Sequence, residues 1–161
     1  MMAAAKASET AEVTLIEKNE KLGKKLFITG KGRCNLCNDC DDPFFFECLN
    51  RNASFMYSSY YSFTAAMLKD FFESRGTPLK VERGDRVFPK SDKSSDIIKT
   101  LEKELRKNKV DIRLNTAVKA IRPADEGYDL ATDKGTIDGD KVIVATGGHD
   151  LSPYRLHRRR L

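Results

Sequence analysis

The residues best suited to chemistry lie in one stretch, Glu17 to Asn38, reading EKNEKLGKKLFITGKGRCNLCN. Glu17 closes a short apolar run, Val13-Thr14-Leu15-Ile16. Behind it come Lys18, Lys21, Lys24, Lys25 and Lys31, interleaved with Gly23, Gly30 and Gly32, then Arg33, Cys34 and Asn35. A carboxylate at a strand end can accept hydrogen bonds from paired sugar hydroxyls. Lysines suit a pyrophosphate, and glycines let the backbone approach a phosphate or a flat ring without a Cβ in the way. These residue types match what a dinucleotide-binding βαβ unit requires, whose acidic residue lies about 20 residues beyond a glycine-rich phosphate turn. Counting back about 20 from Glu17 passes Met1, so the sequence is expected to begin just after that turn. The alanine-rich start, Met1 to Ala7, fits the small-faced helix that leaves such a turn; a disordered leader is the alternative.

Positioning these groups requires a sheet and helices, and the hydrophobic pattern supplies both. Ser62 is expected to cap a helix through Ala65, Ala66, Leu68, Phe71 and Phe72, stopped by Gly76 and Pro78. Val81 to Pro89 reads as a hairpin turned at Gly84-Asp85. Ser91 to Asn108 is the clearest helix, with Ile97, Ile98, Leu101 and Leu105 on one face. A strand over Val110 to Leu114 follows, then a meander of short strands at Ala117–Arg122, Tyr128–Thr132 and Thr136–Ile137. Lys141 to Thr146 reads as a strand buried on both faces, ending in Gly147-Gly148. The aromatic stretch from Asp39 to Tyr61 shows no clean period.

This order predicts an α/β fold. It is a partial Rossmann-type domain whose strands ending at Glu17 and Thr146 aim their carboxyl ends at one crevice, with the meander near its adenine end. In the usual strand order the first strand is central, between those two. Without it two edges are exposed and the helix N-terminus at the phosphate turn is missing. The chain alone is therefore expected to be poorly stable and to bind its cofactor weakly.

Bulk properties bound the function. The 161 residues suffice for one domain with a real core, and 40% hydrophobic with 33% charged residues is ordinary for a soluble globular protein. The net charge of +5 is inflated by Arg155, Arg158, Arg159 and Arg160. The lysines with Phe27, Tyr57, Tyr60 and Tyr61 form no known single-strand-binding pattern, so nucleic acid is not expected as a partner. No segment approaches the ~18 apolar residues of a membrane span, and no signal segment is visible. A cytoplasmic protein is expected, its cysteines free of disulfides. The sequence sets no oligomeric state.

Cys34, Cys37 and Cys40 are spaced CxxCxxC, with Cys48 beyond. That spacing resembles an iron–sulfur ligand run or three-quarters of a zinc site. The alternative to a dinucleotide domain is therefore a non-catalytic or metal-binding α/β module built on these three thiols. Free thiols are the preferred reading and no metal site is assigned. His149 and His157 lie in the basic tail and are expected to be solvated.

The stretches EVTLIEKNEKLGKKLFITGKGRCN, GDRVFPKSDKSSDIIKTLEKEL, LNTAVKAI and KVIVATGG closely resemble the BaiN/YhiN-type flavoproteins. These are described as NAD(P)/FAD-dependent or aminoacetone-oxidase-like oxidoreductases. The resemblance covers residues 1 to 148, read as an incomplete FAD/NAD(P)-binding domain, and not the basic tail 149–161. It implies a glutathione-reductase-like FAD fold with a separate substrate domain in full-length members. Glu17 would bind the FAD ribose, with Lys18 beside it. The loop from Lys24 and Lys25 to Asn35 would wrap the pyrophosphate and flavin, with Thr29, Gly30, Gly32, Arg33, Cys34 and Asn35 at or near it. Val118 would meet the adenine through its backbone, and Thr146 and Gly147 would lie against the cofactor. The resemblance implies hydride transfer between NAD(P)H, through FAD, and an organic small molecule. It supplies no general acid or base and no substrate, and this chain is expected to be weakly active or inactive.

Overall fold

The computed structural model of the chain describes residues 1–147; the tail, with His149 and His157, lies outside the described residues. In chain order the elements are α1 (Met2–Ala7), β1 (Thr14–Ile16), α2 (Lys24–Ile28), β2 (Cys37–Asn38), α3 (Asp42–Glu47), α4 (Tyr57–Ser62) and α5 (Ala65–Glu73). There follow β3 (Leu79–Glu82), β4 (Arg86–Pro89), α6 (Ser94–Lys107), β5 (Asp111–Arg113), β6 (Val118–Pro123), β7 (Tyr128–Thr132) and β8 (Gly135–Gly139). Single 3-10 turns occupy Thr29–Gly32 and Ala53–Met56.

Two compact units emerge, Met1–Ala117 and a second from Val118. In the first, β1 and β5 pair in parallel with Thr14 opposite Asp111 and Ile16 opposite Arg113. A separate antiparallel sheet has the order β2-β4-β3. Parallel neighbours need a crossover, and α6 lies directly before β5 as its helical part. The expected period of α6 holds: Ile97, Ile98, Leu101 and Leu105 are all buried. This one face serves two cores. Ile97 and Leu101 pack with Cys34, Phe72, Leu79 and Val87, while Leu105 packs with Ala5, Leu22 and Val110.

The alanine-rich start is a helix and not a disordered leader. Ala5 is 2% exposed against the Leu105 core, and Asn108 Nδ2 donates to Ser8 Oγ at 3.1 Å, so small side chains allow α1 to lie close. The hairpin turns where expected, with Gly84 and Asp85 both at positive φ (75° and 55°).

Two expected helix starts are corrected, and the stretch without a clean period resolves into short helices. Ser62 closes α4, donating back to the Ser58 carbonyl at 2.6 Å, and Thr64 caps α5 by accepting from Met67 N at 3.2 Å. Ser91 does not start α6, which begins at Ser94. The stretch Asp39–Tyr61 is largely helical: Asp41 caps α3, accepting from Phe44 N at 2.9 Å, with Pro43 in the first turn.

The second unit holds the antiparallel meander β6-β7-β8, its register running from Pro123 opposite Tyr128 to Thr132 opposite Gly135. Residues 141–147 are not a strand. Ile143 is 66% and Val144 56% exposed, and among the described residues no strand pairs with them. A buried-strand pattern becomes a strand only when neighbours supply its lateral hydrogen bonds. The parallel sheet therefore consists, among the described residues, of β1 and β5.

Candidate functional site

Glu17 sits at the carboxyl end of β1, as its sequence position requires. Its N–H donates to the Arg113 carbonyl at 2.9 Å, extending the β1–β5 ladder by one bond. Its own carbonyl accepts from Thr116 N at 3.0 Å. The carboxylate is oriented by a local turn: Oε1 accepts from Asn19 N at 2.9 Å and from Asn19 Nδ2 at 2.5 Å. Asn19 in turn accepts through its carbonyl from Asn115 N at 3.0 Å. Glu17 is half-buried, and Lys18 beside it is exposed.

The lysine- and glycine-rich segment is ordered. Gly23 takes φ 70° to begin α2, and a Cβ there would stand 2.9 Å from the Ile98 side chain. Ser94 Oγ donates to the Phe27 carbonyl at 2.8 Å, fastening α2 to the start of α6. Lys24 pairs with Glu20 at 3.1 Å, while Lys25 and Lys31 are exposed.

Beyond α2 the chain makes a run of left-handed residues: Gly30 (φ 54°), Lys31 (56°), Gly32 (84°) and Cys34 (60°). Thr29 anchors the run at both ends, its hydroxyl donating to the Leu26 carbonyl at 2.7 Å and its carbonyl accepting from Cys34 N at 3.0 Å. Arg33, between Gly32 and Cys34, is right-handed (φ −95°), and the loop folds back on itself, Arg33 N donating to the Gly30 carbonyl at 3.2 Å. A Cβ at Gly30 would stand 2.7 Å from Asn35 N and 3.3 Å from the Phe88 ring, whereas one at Gly32 would meet nothing within 4 Å. Gly30 is thus required by close packing and Gly32 by its φ alone.

Cys34 turns inward. It is fully buried in the Ile97 core, and burial pushes its thiol pKa up, opposed by a hydrogen bond with Thr29. Cys37 packs against the same core. Burial first, and the Asp39 carboxylate second, push its thiol up to about 11. Cys40 is half-buried and Cys48 exposed. Among the described residues no group of three or more His, Cys, Asp or Glu side chains is placed to hold a metal. The CxxCxxC spacing therefore does not gather its thiols, because the left-handed Cys34 faces the core while Cys37 joins a strand beside β4.

Arg33 is held by carboxylates of this chain. Its Nη1 donates to Glu82 at 2.9 and 3.1 Å and to Asp92 at 3.1 Å, and its guanidinium lies 4.1 Å from the Phe88 ring centroid. Lys80 binds the same two carboxylates, at 3.1 Å to Glu82 and 2.7 Å to Asp92. The loop is thereby locked to β3 and β4, further secured by Leu36 N donating to the Val87 carbonyl at 2.8 Å. Val118 opens β6 opposite Thr132, next to a bulge before Ala120, and Thr146 and Gly147 are exposed. These three belong to the second unit.

Comparison with known proteins decides the kinship. Residues 1–153 match the family described as the HI0933-like protein Rossmann domain. The chain belongs to that family. Among curated proteins, the 3-dehydro-bile acid delta(4,6)-reductase of Clostridium scindens is 33% identical over 147 residues, covering 91% of this chain and 35% of the reductase. The ribosomal RNA dihydrouridine synthase of Escherichia coli is 29% identical over 136 residues, covering 84% of this chain and 33% of that enzyme. The chain spans about a third of the length of these relatives.

In this HI0933-like domain, the sequence alone points to the loop but not to Glu82, Phe88 and Asp92, which hold Arg33, or to Lys80, which braces the two carboxylates. The available signal was the RVFP segment and the acidic residues flanking it. The two carboxyls carry a pH consequence. Hydrogen bonds from Arg33 first, then Lys80, hold Glu82 below its ordinary 4.5, and bonds from Lys80 hold Asp92 below its ordinary 3.8. A carboxyl with a depressed folded-state pKa contributes stability that is present above its unfolded value and lost as pH falls through the folded one. The Arg33 loop is therefore expected to loosen progressively below about pH 4.5. Hydrogen exchange of the Gly30–Leu36 amides, compared between pH 6 and pH 3.5 with Arg33→Ala as reference, checks this. Equal acid sensitivity in the variant would count against it.

Proposed function

We propose that this domain is the FAD-binding part of an FAD-dependent oxidoreductase that passes hydride between NAD(P)H and an organic substrate. The observation that carries the reading is a half-buried carboxylate at a parallel-strand end, Glu17, combined in one unit with the glycine-rich loop Gly30–Cys34, left-handed at every position but Arg33. Asn19 occupies only Oε1 of Glu17, which leaves Oε2 for the hydroxyls of a ribose. Lys25 and Lys31 supply exposed positive charge suited to a pyrophosphate. At Gly32 the missing side chain leaves open space beside the loop.

Bound flavin would supply the hydride-accepting ring. Glu17 would hold the cofactor's ribose and the loop its phosphates, while Arg33, anchored to Glu82 and Asp92, keeps the loop in place. The relatives are a bile-acid reductase and a ribosomal RNA dihydrouridine synthase, so the proposal is hydride chemistry in the cytoplasm with no substrate class assigned. No helix of the described residues is long and apolar enough to cross a membrane.

Glu17→Gln tests the assignment. The variant keeps an oxygen for Asn19 but loses the charge. Hydrogen bonds to charged groups contribute about 1.5–3 kcal/mol, so FAD affinity is expected to fall roughly ten- to a hundredfold with the thermal midpoint little changed. Fluorescence titration with FAD reads this directly. Equal affinity of the wild type and variant would remove Glu17 from the cofactor site.

A further inference from the structure

A cleft of about 490 Å³ opens between α3, the 3-10 turn Ala53–Met56 and α4, within the first unit. Phe46, Tyr57 and Tyr61 form its aromatic wall, and its charged lining residues, Asp42 and Glu47, are both acidic. This lining runs against the chain's net charge of +5. Phe46 lies 4.3 Å from Tyr57 and 5.9 Å from Tyr61, centroid to centroid. Tyr57 and Tyr61, one turn apart on α4, hold their rings 6.3 Å apart and within 9° of parallel. Both are about half exposed, so ring surface is open to solvent.

Neighbouring groups fix this wall. Tyr60 stacks on Phe45 at 4.3 Å and donates its hydroxyl to Asp42 Oδ1 at 2.7 Å. That bond first, then burial, pushes the Tyr60 hydroxyl pKa up to about 12, so it remains a donor through neutral pH. Glu47 makes no ion pair among the described residues.

The combination selects for charge. Two carboxylates repel anions and give a neutral apolar ligand nothing. A bare ammonium is strongly hydrated and gains little from a ring. A methylated ammonium spreads its charge over C–H surface and lies readily against the negative faces of tyrosine and phenylalanine. We infer that the cleft between α3 and α4 binds a methylated or quaternary organic ammonium, held by Phe46, Tyr57 and Tyr61 with Asp42 and Glu47 supplying the counter-charge. None of the cleft's lining residues is among those assigned to the cofactor.

The chain has five tyrosines and no tryptophan, and three of the tyrosines lie in this cluster, so tyrosine emission reports the cleft. The full chain is titrated at constant ionic strength with choline and with its neutral isostere, in which carbon replaces the nitrogen. Choline is expected to bind roughly tenfold more tightly, equivalent to about 1.4 kcal/mol. Tyr57→Phe, which keeps the ring face, leaves choline binding within about twofold, while Tyr57→Leu and Glu47→Gln each weaken it by roughly fivefold. Equal binding of choline and its isostere would overturn the inference in favour of a plain apolar groove. Absence of saturable choline binding to the wild type would overturn it outright.

Discussion

Gly30→Ala is expected to destabilise the domain by about 3 kcal/mol and to weaken flavin binding further. Two costs add. A non-glycine residue at φ 54° adopts the left-handed region, at about 1–2 kcal/mol. The new Cβ would also stand 2.7 Å from Asn35 N, a backbone atom that cannot rotate away, and 3.3 Å from Phe88. Asn35 follows Cys34, whose side chain is seated in the core, so relief must come from displacing the loop itself. Gly32→Ala is the matched control. It has a φ of 84° but open space around the missing Cβ, so only the conformational cost applies, about 1–2 kcal/mol. Thermal unfolding of the two variants against wild type checks the difference. Gly30→Ala should lower the midpoint by about 10 °C and Gly32→Ala by about half of that. Equal shifts would mean that close packing at Gly30 contributes nothing.

Ile97→Ala is the second large effect. Ile97 is 0% exposed and shares a core with Cys34, Phe72, Leu79, Val87 and Leu101, which belong to the site loop, α5, both hairpin strands and α6. Truncating a fully buried aliphatic side chain to alanine costs about 2–5 kcal/mol, the transfer of the lost carbons plus the cavity left behind. A domain of total stability about 5–15 kcal/mol is seriously weakened by that amount. Here the loss also reaches the site, because Ile97 shares its core with Cys34 of the loop. Denaturant unfolding should show the midpoint falling for Ile97→Ala and Ile97→Val costing only about 1 kcal/mol. A midpoint for Ile97→Ala within error of wild type would show that Ile97 is not the keystone between helix and loop.

The fold was legible where periodicity carries the signal. The apolar face of α6, the Gly84-Asp85 hairpin and the three-strand meander follow from spacing and turn chemistry alone. Elements stabilised by contacts distant in sequence were not. α3 and α4 are each six residues, too short for a period to show, and they stand because Phe45, Phe46, Tyr57 and Tyr60 stack on one another. Ser62 and Thr64 both have the chemistry of a cap, and only the turn geometry at Phe63 assigns the role to Thr64. The run Lys141–Thr146 has the composition of a buried strand, yet composition cannot provide a neighbour to pair with.

The site divides in the same way. Glu17 at a strand end and the glycines of the loop were readable because their conformations are local. The partners of Arg33 were not, since Glu82 and Asp92 lie 49 and 59 residues further along. Cys34 misled through its spacing with Cys37 and Cys40, because a left-handed φ turns its thiol into the core.

The central claim, that Glu17 and the Gly30–Cys34 turn together recognise a dinucleotide, is tested most directly by comparing FAD with FMN. FMN carries the flavin and one phosphate but lacks the adenosine ribose assigned to Glu17. Fluorescence titration of the wild-type chain is expected to show FAD binding at least about tenfold more tightly than FMN, the value of one charged hydrogen-bond pair. Indistinguishable affinities for the two flavins would contradict the account.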